Sequence, residues 1–397
     1  MHREDFELLN QDIIYFDNGA TTLKPIVLGK TISDYYNHYS ANAHRGDYDL
    51  SLKVDNAYEH SRELVQKFIH AKQKEEIIFT SGTTDSLNKI IFGYFRYNLN
   101  EEDEVLINKS EHASTVLPWF ELADEKKLNI RYIELDSNLK MTLENVKKAI
   151  TPKTKVISLA QITNVVGDIR PLKEIIEFAH QNNILVLVDG AQSVPHMKVD
   201  VQALDIDFLA FSAHKMYGPT GVGVLYGKRE LLNNIRPIIF GGGMNSTYNS
   251  DFSRIYDEVP SLLEAGTPNI AGVIGFGSVI EYLNHLDMNE IEQYEHNLRE
   301  YAVSKLKEIE NVIIYNETSE SSIITINYKD IFAQDLAIYL NKYHICVRAG
   351  NHCSKILKDE ISIKNTVRIS LSFYNTKEEI NKLVSTLKNP KIKEEIL

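Results

Sequence analysis

The sequence predicts an α/β fold: a mostly parallel sheet covered by helices on both faces, followed by a smaller α+β unit. Three observations lead to it. Short continuous apolar runs, such as ILVLV at 184–188 and FLAF at 208–211, read as strands buried on both sides. Segments of helical period alternate with them, as a parallel sheet requires. The chain has 397 residues, more than one core usually supports, and its character changes past residue 240.

Taken in order, residues 13–17 form a short apolar strand that runs into the polar turn Asn18 to Thr22. A helix is expected over 31–40, then a loop containing His44, Arg45 and Gly46. Residues 77–79 form a strand followed directly by Thr80, Ser81, Gly82, Thr83 and Thr84. The next helix sets Leu87, Ile90, Ile91, Tyr94 and Phe95 on one face. Strand, small-residue turn and helix start together suit an anion, because free N–H groups point outward there. Ser and Thr also simply cap helices, so this turn alone decides little.

Strands follow at 104–107, 130–135 and 156–160, and helices at 142–150 and from Pro171 onward. The apolar strand 184–188 ends in Asp189, Gly190, Ala191 and Gln192. Beyond 240, loops at 241–243 and 264–269 precede helices at 273–282 and 291–309. Strands at 312–315 and 322–327, a helix at 334–343 and a strand at 366–371 make the second unit. The expected division is 15–265 for the large unit and 266–397, with 1–14, for the small one.

Composition narrows the function. A net charge of −12 argues against binding a nucleic-acid backbone. No run approaches a membrane span, and no apolar signal region opens the chain. Two cysteines without CxxC spacing, Cys346 and Cys353, fit a reducing cytoplasm. No histidine or cysteine pair has zinc-motif spacing, so no metal is expected.

The chemistry centres on 208–228, FLAFSAHKMYGPTGVGVLYGK. Lys215 sits in a turn between two core strands. Burial lowers a lysine pKa, and a neutral amine can form a Schiff base. Asp189 ends another buried strand 26 residues earlier. One chemistry needs this pair: pyridoxal 5′-phosphate, with its aldehyde on the lysine and a carboxylate at its pyridine nitrogen. Ser81, His112, Asn164, Asp189 and Lys215 all follow expected strands, where ligands of parallel sheets collect.

Several stretches carry a family resemblance: YFDNGATTLKP at 15–25, AHRG at 43–46, FTSGTTDSLN at 79–88, EHASTVLPW at 111–119, TNVVGDIRPL at 163–172, VDGAQ at 188–192, SAHKMYGPTGVGVLYGK at 212–228, EAGTPN at 264–269, VRAGNHC at 347–353 and RISLSFYNTKEEI at 368–380. They span nearly the whole chain. It resembles the class V aminotransferase-like, fold type I pyridoxal-phosphate enzymes, and within them the group II, Suf-type cysteine desulfurases with their selenocysteine lyase relatives. The resemblance implies a seven-stranded, mostly parallel sheet in the large domain. It implies that Lys215 carries the cofactor and moves the substrate α-proton, and that Asp189 pairs with the pyridine nitrogen. Gln192 and Asn164 would contact the phenolic oxygen side, and His112 would stack on the ring and be available for acid–base steps. Thr83, Thr84, Ser212 and His214 would bind the phosphate, and Thr267 the phosphate of a neighbouring subunit, giving a homodimer with shared sites. Arg368 would clamp the substrate carboxylate, with Arg348 at the mouth and His44 and Arg45 lining the site from the partner. Cys353 would take sulfur from L-cysteine as a persulfide and pass it to an acceptor protein.

The chain departs from the group II pattern at four places. Asn351 and His352 precede the cysteine where two His are usual, and Ser354, Lys355 and Ile356 replace Ala-Gln-Pro after it. Ser81 stands for a common Arg, and Ala113 for a common His. Two other readings compete. An aminotransferase, epimerase or kynureninase-like hydrolase of the same fold would need no thiol. A protein binding another phosphate at the Ser81 turn would need a Walker motif, which is absent.

Overall fold

The computed structural model describes residues 2–43, 46–362 and 364–396. His44 and Arg45 lie outside them. Seven strands make the central sheet: β1 (Ile77–Thr80), β2 (Glu104–Ile107), β3 (Asn129–Tyr132), β4 (Thr154–Ala160), β5 (Leu185–Asp189), β6 (Phe208–Ser212) and β7 (Gly223–Gly227). Their spatial order is β1-β7-β6-β5-β4-β2-β3. β7 runs antiparallel to both neighbours and every other pairing is parallel. The carboxyl ends of the other six strands therefore share one edge with the start of β7. The turn holding Lys215 joins β6 to β7 at that edge.

Alternation along each strand feeds two cores. Val186, Val188, Leu209 and Phe211 face one, and Leu187, Phe208 and Ala210 face the other. Helices α1 (Ile26–His38), α2 (Asp49–Phe68), α3 (Thr83–Ile90), α4 (Ala113–Lys126), α5 (Leu143–Ala149) and α6 (Leu172–Gln181) cover the sheet. α3 and α4 lie on one face, and α1, α2, α5 and α6 on the other. Helix α7 (Ile270–Asn284), expected in the small unit, packs in the large one against α1 and α2. It has almost no polar face, and its glycines let neighbours approach. A Cβ on Gly275 would stand 2.9 Å from Leu28, and one on Gly277 2.4 Å from the Ser61 hydroxyl. We place the small unit's start after this helix.

That unit has its own core. Strands β8 (Val312–Ile314), β9 (Ile323–Tyr328), β10 (Arg348–Gly350) and β11 (Thr366–Ser370) form an antiparallel sheet in the order β8-β9-β11-β10. α8 (Met288–Lys307), α9 (Ala333–Asn341) and α10 (Lys377–Leu387) flank it. The N-terminal segment ties the units together. Residues 14 and 15 pair with 345 and 346, while Phe6 packs on Tyr217 and Tyr374. A separate hairpin, Asn245–Tyr248 with Arg254–Tyr256, stands exposed.

Candidate active site

Where β6 ends, one 3₁₀ turn (Ala213–Lys215) brings Lys215 to the carboxyl edge of the sheet. Burial is the main force on its amine, opposed by Asp189, and pushes its pKa down to about 8. Asp189, the last residue of β5, is buried; it accepts hydrogen bonds from the Ala191 N–H at 2.9 Å and the Thr115 hydroxyl at 3.3 Å. Both residues line a cavity of about 220 Å³.

His112 caps α4, and its Nδ1 accepts the Ser114 N–H at 3.1 Å. In the neutral ring the proton is therefore on Nε2. Burial and then Lys215 lower its pKa to about 4, and burial and Lys215 do the same to His214. Thr83 opens α3, and its N–H and hydroxyl both meet the Ser212 hydroxyl, at 2.7 and 2.6 Å. The Thr84 hydroxyl meets that of Ser114 at 2.7 Å. The Gln192 amide donates to the Gly19 carbonyl at 2.8 Å.

The small unit supplies the opposite wall. Arg368, on β11, is buried; it donates to the Asn164 carbonyl at 3.0 Å and the Asp17 carboxylate at 3.2 Å. Gly19 makes room for it, because a Cβ there would stand 2.9 Å from the guanidinium carbon. Arg348 and the exposed Cys353 also line the cavity. His352 and Cys353 are both left-handed, at φ 51° and 61°, an uncommon conformation for residues with a Cβ. The Ala113 N–H, at the start of α4, donates to the Cys353 carbonyl at 2.8 Å.

The structure thus brings Thr83, Thr84, His112, Asn164, Asp189, Gln192, Ser212, His214, Lys215, Arg348, Cys353 and Arg368 to one cavity. Thr267 does not line it. That residue is exposed on a loop pinned by Glu264, which accepts a bidentate pair from buried Arg62 at 2.7 and 2.9 Å. Sequence reasoning missed His352, Ser114 and Asp17 as site residues. The first two neighbour expected site residues, which was the signal available. Asp17 ends the first strand, but nothing local links it to Arg368.

The arrangement puts a lysine that burial brings toward neutrality, a carboxylate, a cluster of hydroxyls at a helix start, an arginine and a thiol around one space. The class-V aminotransferase family model matches residues 14–383. The chain belongs to the class-V aminotransferase family. A probable cysteine desulfurase of Halalkalibacterium halodurans is 42% identical over 391 residues, covering 98% of this chain and 95% of that one. Among solved structures, the cysteine desulfurase of Thermococcus onnurineus superposes with a TM-score of 0.93 at 36% identity, covering 97% and 96% of the two chains. A cysteine desulfurase of Escherichia coli gives 0.92 at 34%, covering 99% and 97%. As in other class-V enzymes, the cofactor is pyridoxal 5′-phosphate, and the residues present fit it. Lys215 and Asp189 have the required chemistry, and the hydroxyls of Thr83, Thr84, Ser212 and Ser114, bonded to one another, can turn to a phosphate.

Proposed function

We propose that the chain is a cysteine desulfurase that converts L-cysteine to L-alanine and leaves the sulfur as a persulfide on Cys353. The observation that carries this reading is Cys353 on the wall of the cavity that also holds Lys215 and Asp189. When bound there, pyridoxal phosphate supplies an electron sink for charge at the substrate α-carbon. Lys215 would hold it covalently, Asp189 would keep its ring nitrogen protonated, and Thr83, Thr84 and Ser212 would hold its phosphate. Arg368 binds the substrate carboxylate, and Lys215 Nζ takes the α-proton. Cys353 Sγ then attacks the substrate sulfur. The new S–S bond forms as the Cβ–S bond breaks, and its electron pair returns to carbon, which gains a proton. The balance is cysteine plus thiol to alanine plus persulfide. An acceptor protein of group II, Suf-type chemistry then takes the outer sulfur, in the reducing cytoplasm that two free cysteines suit.

We further read the working unit as a homodimer with shared sites. A second cavity of about 540 Å³, lined by Ser81, Asp85, Lys89 and Asn269, adjoins Thr84. The hairpin nearby in sequence exposes Tyr248, Phe252 and Ile255, with Phe240 just before it. A second copy would cover both and bring Thr267 to its partner's site.

Cys353→Ala tests the reaction. The purified variant keeps its visible cofactor absorption and forms neither alanine nor sulfide from L-cysteine beyond background. Undiminished alanine and sulfide would assign the sulfur chemistry to another group.

A further inference from the structure

The side chain of Asn164 is committed to the cysteine loop. Its amide nitrogen donates to the His352 carbonyl at 2.7 Å, and its amide oxygen accepts from the Ser354 hydroxyl at 2.9 Å. The residues on either side of Cys353 thus hold one amide. The main-chain carbonyl of the same asparagine accepts from Arg368 at 3.0 Å. Asn164, His352 and Ser354 are all at least nine-tenths buried.

We infer that Ser354 is a positioning residue: it fastens the Cys353 loop to Asn164, and through it to the arginine that binds the substrate carboxylate. The inference rests on the desulfurase reading for its effect on turnover, not for the fastening itself. An asparagine amide offers two N–H donors and one carbonyl. His352 takes one donor and Ser354 the carbonyl, which leaves one N–H for a ligand in the cavity that Asn164 lines. The loop needs fastening because His352 and Cys353 are both held in the left-handed region. An alanine side chain at this position could not donate. Alanine would leave the buried Asn164 oxygen without this donor, a cost relieved when the loop lifts and water enters. The Ser354 hydroxyl is therefore a side-chain tether on the cysteine loop. Docked, the loop holds Cys353 at the cavity for attack; lifted, it would free the persulfide for an acceptor.

Ser354→Ala is the test, run first on the holoenzyme without substrate. Tryptic cleavage after exposed Lys355 and Lys358, and exchange of the Ala113 amide that the Cys353 carbonyl protects, should each rise about fivefold, the effect of one lost hydrogen bond. With L-cysteine, kcat should fall while KM stays unchanged, because Arg368 keeps its bond to the Asn164 main chain. Unchanged cleavage and exchange overturn the inference. So does exchange that rises equally in β5, which would mean general loosening. If the wild type formed no alanine at all, the desulfurase reading would fail while the loop measurements still judged the fastening.

Discussion

Lys215 and Arg368 use burial in opposite ways. For Lys215 burial is the useful force, since it brings the amine down to about 8 from an ordinary 10.5. Below that value the folded protein holds the amine protonated and unable to attack an aldehyde; above it the amine is neutral. The rate at which cofactor-free protein combines with pyridoxal phosphate should therefore climb with pH and level off near 8. A rise that continues toward 10.5, followed by visible absorbance, would show a solvated lysine instead. For Arg368 burial is a cost, opposed by Asp17, and what it secures is geometry. Arg368→Lys loses the planar fork that reaches both Asn164 and Asp17. Losing one charged hydrogen bond to the substrate carboxylate, roughly 1.5–3 kcal/mol, should raise KM for L-cysteine about 10- to 150-fold. Steady-state kinetics would show it, and a KM left unchanged would assign the carboxylate to Arg348.

Elements explain why some of this was legible in sequence and some was not. β5 and β6 read clearly because a strand buried on both faces is apolar without interruption. The residues at or just after the ends of such strands, Asp189 and Lys215 among them, stand out in the sequence because parallel strand ends converge. α2 escaped notice because the stripe it buries includes Ser51, Ser61 and Arg62 among Val54, Tyr58 and Val65. α7 packs against α1 and α2 through glycines, which carry no side-chain signal in the sequence. Asp17 and Ser354 make their decisive contacts with Arg368 and Asn164, 351 and 190 residues away. No local pattern encodes such distances. The same close packing governs the hydroxyl-rich turn. Gly223 opens β7 opposite Thr80, and a Cβ there would fall 2.3 Å from the Gly82 Cα. Backbone on both sides leaves little room to adjust. Gly223→Ala should therefore push the Gly82 turn off the sheet edge, weaken retention of pyridoxal phosphate on dilution, and cost about 1–3 kcal/mol in urea unfolding. A variant that keeps both would mean that the turn shifts without harm.

For the molecule as a whole, the question is what covers the surface beside the site. Phe252 is 86% exposed and Tyr248 77%, both within one short hairpin that, among the described residues, has no other strand beside it. Two-stranded ribbons are marginal in water alone, and this one carries its aromatic side chains outward. A second copy of the chain would bury them and close the cavity that adjoins Thr84. Replacing both, Tyr248→Ser with Phe252→Ser, should therefore act on assembly and on the site together. Sedimentation velocity at micromolar concentration should show the wild type at twice the chain mass and the variant shifted toward one chain. Desulfurase activity should fall with dimer content across a dilution series, as the proposed shared sites require. A variant that stays dimeric and fully active would place the interface elsewhere on the large unit and leave the hairpin free for the sulfur acceptor.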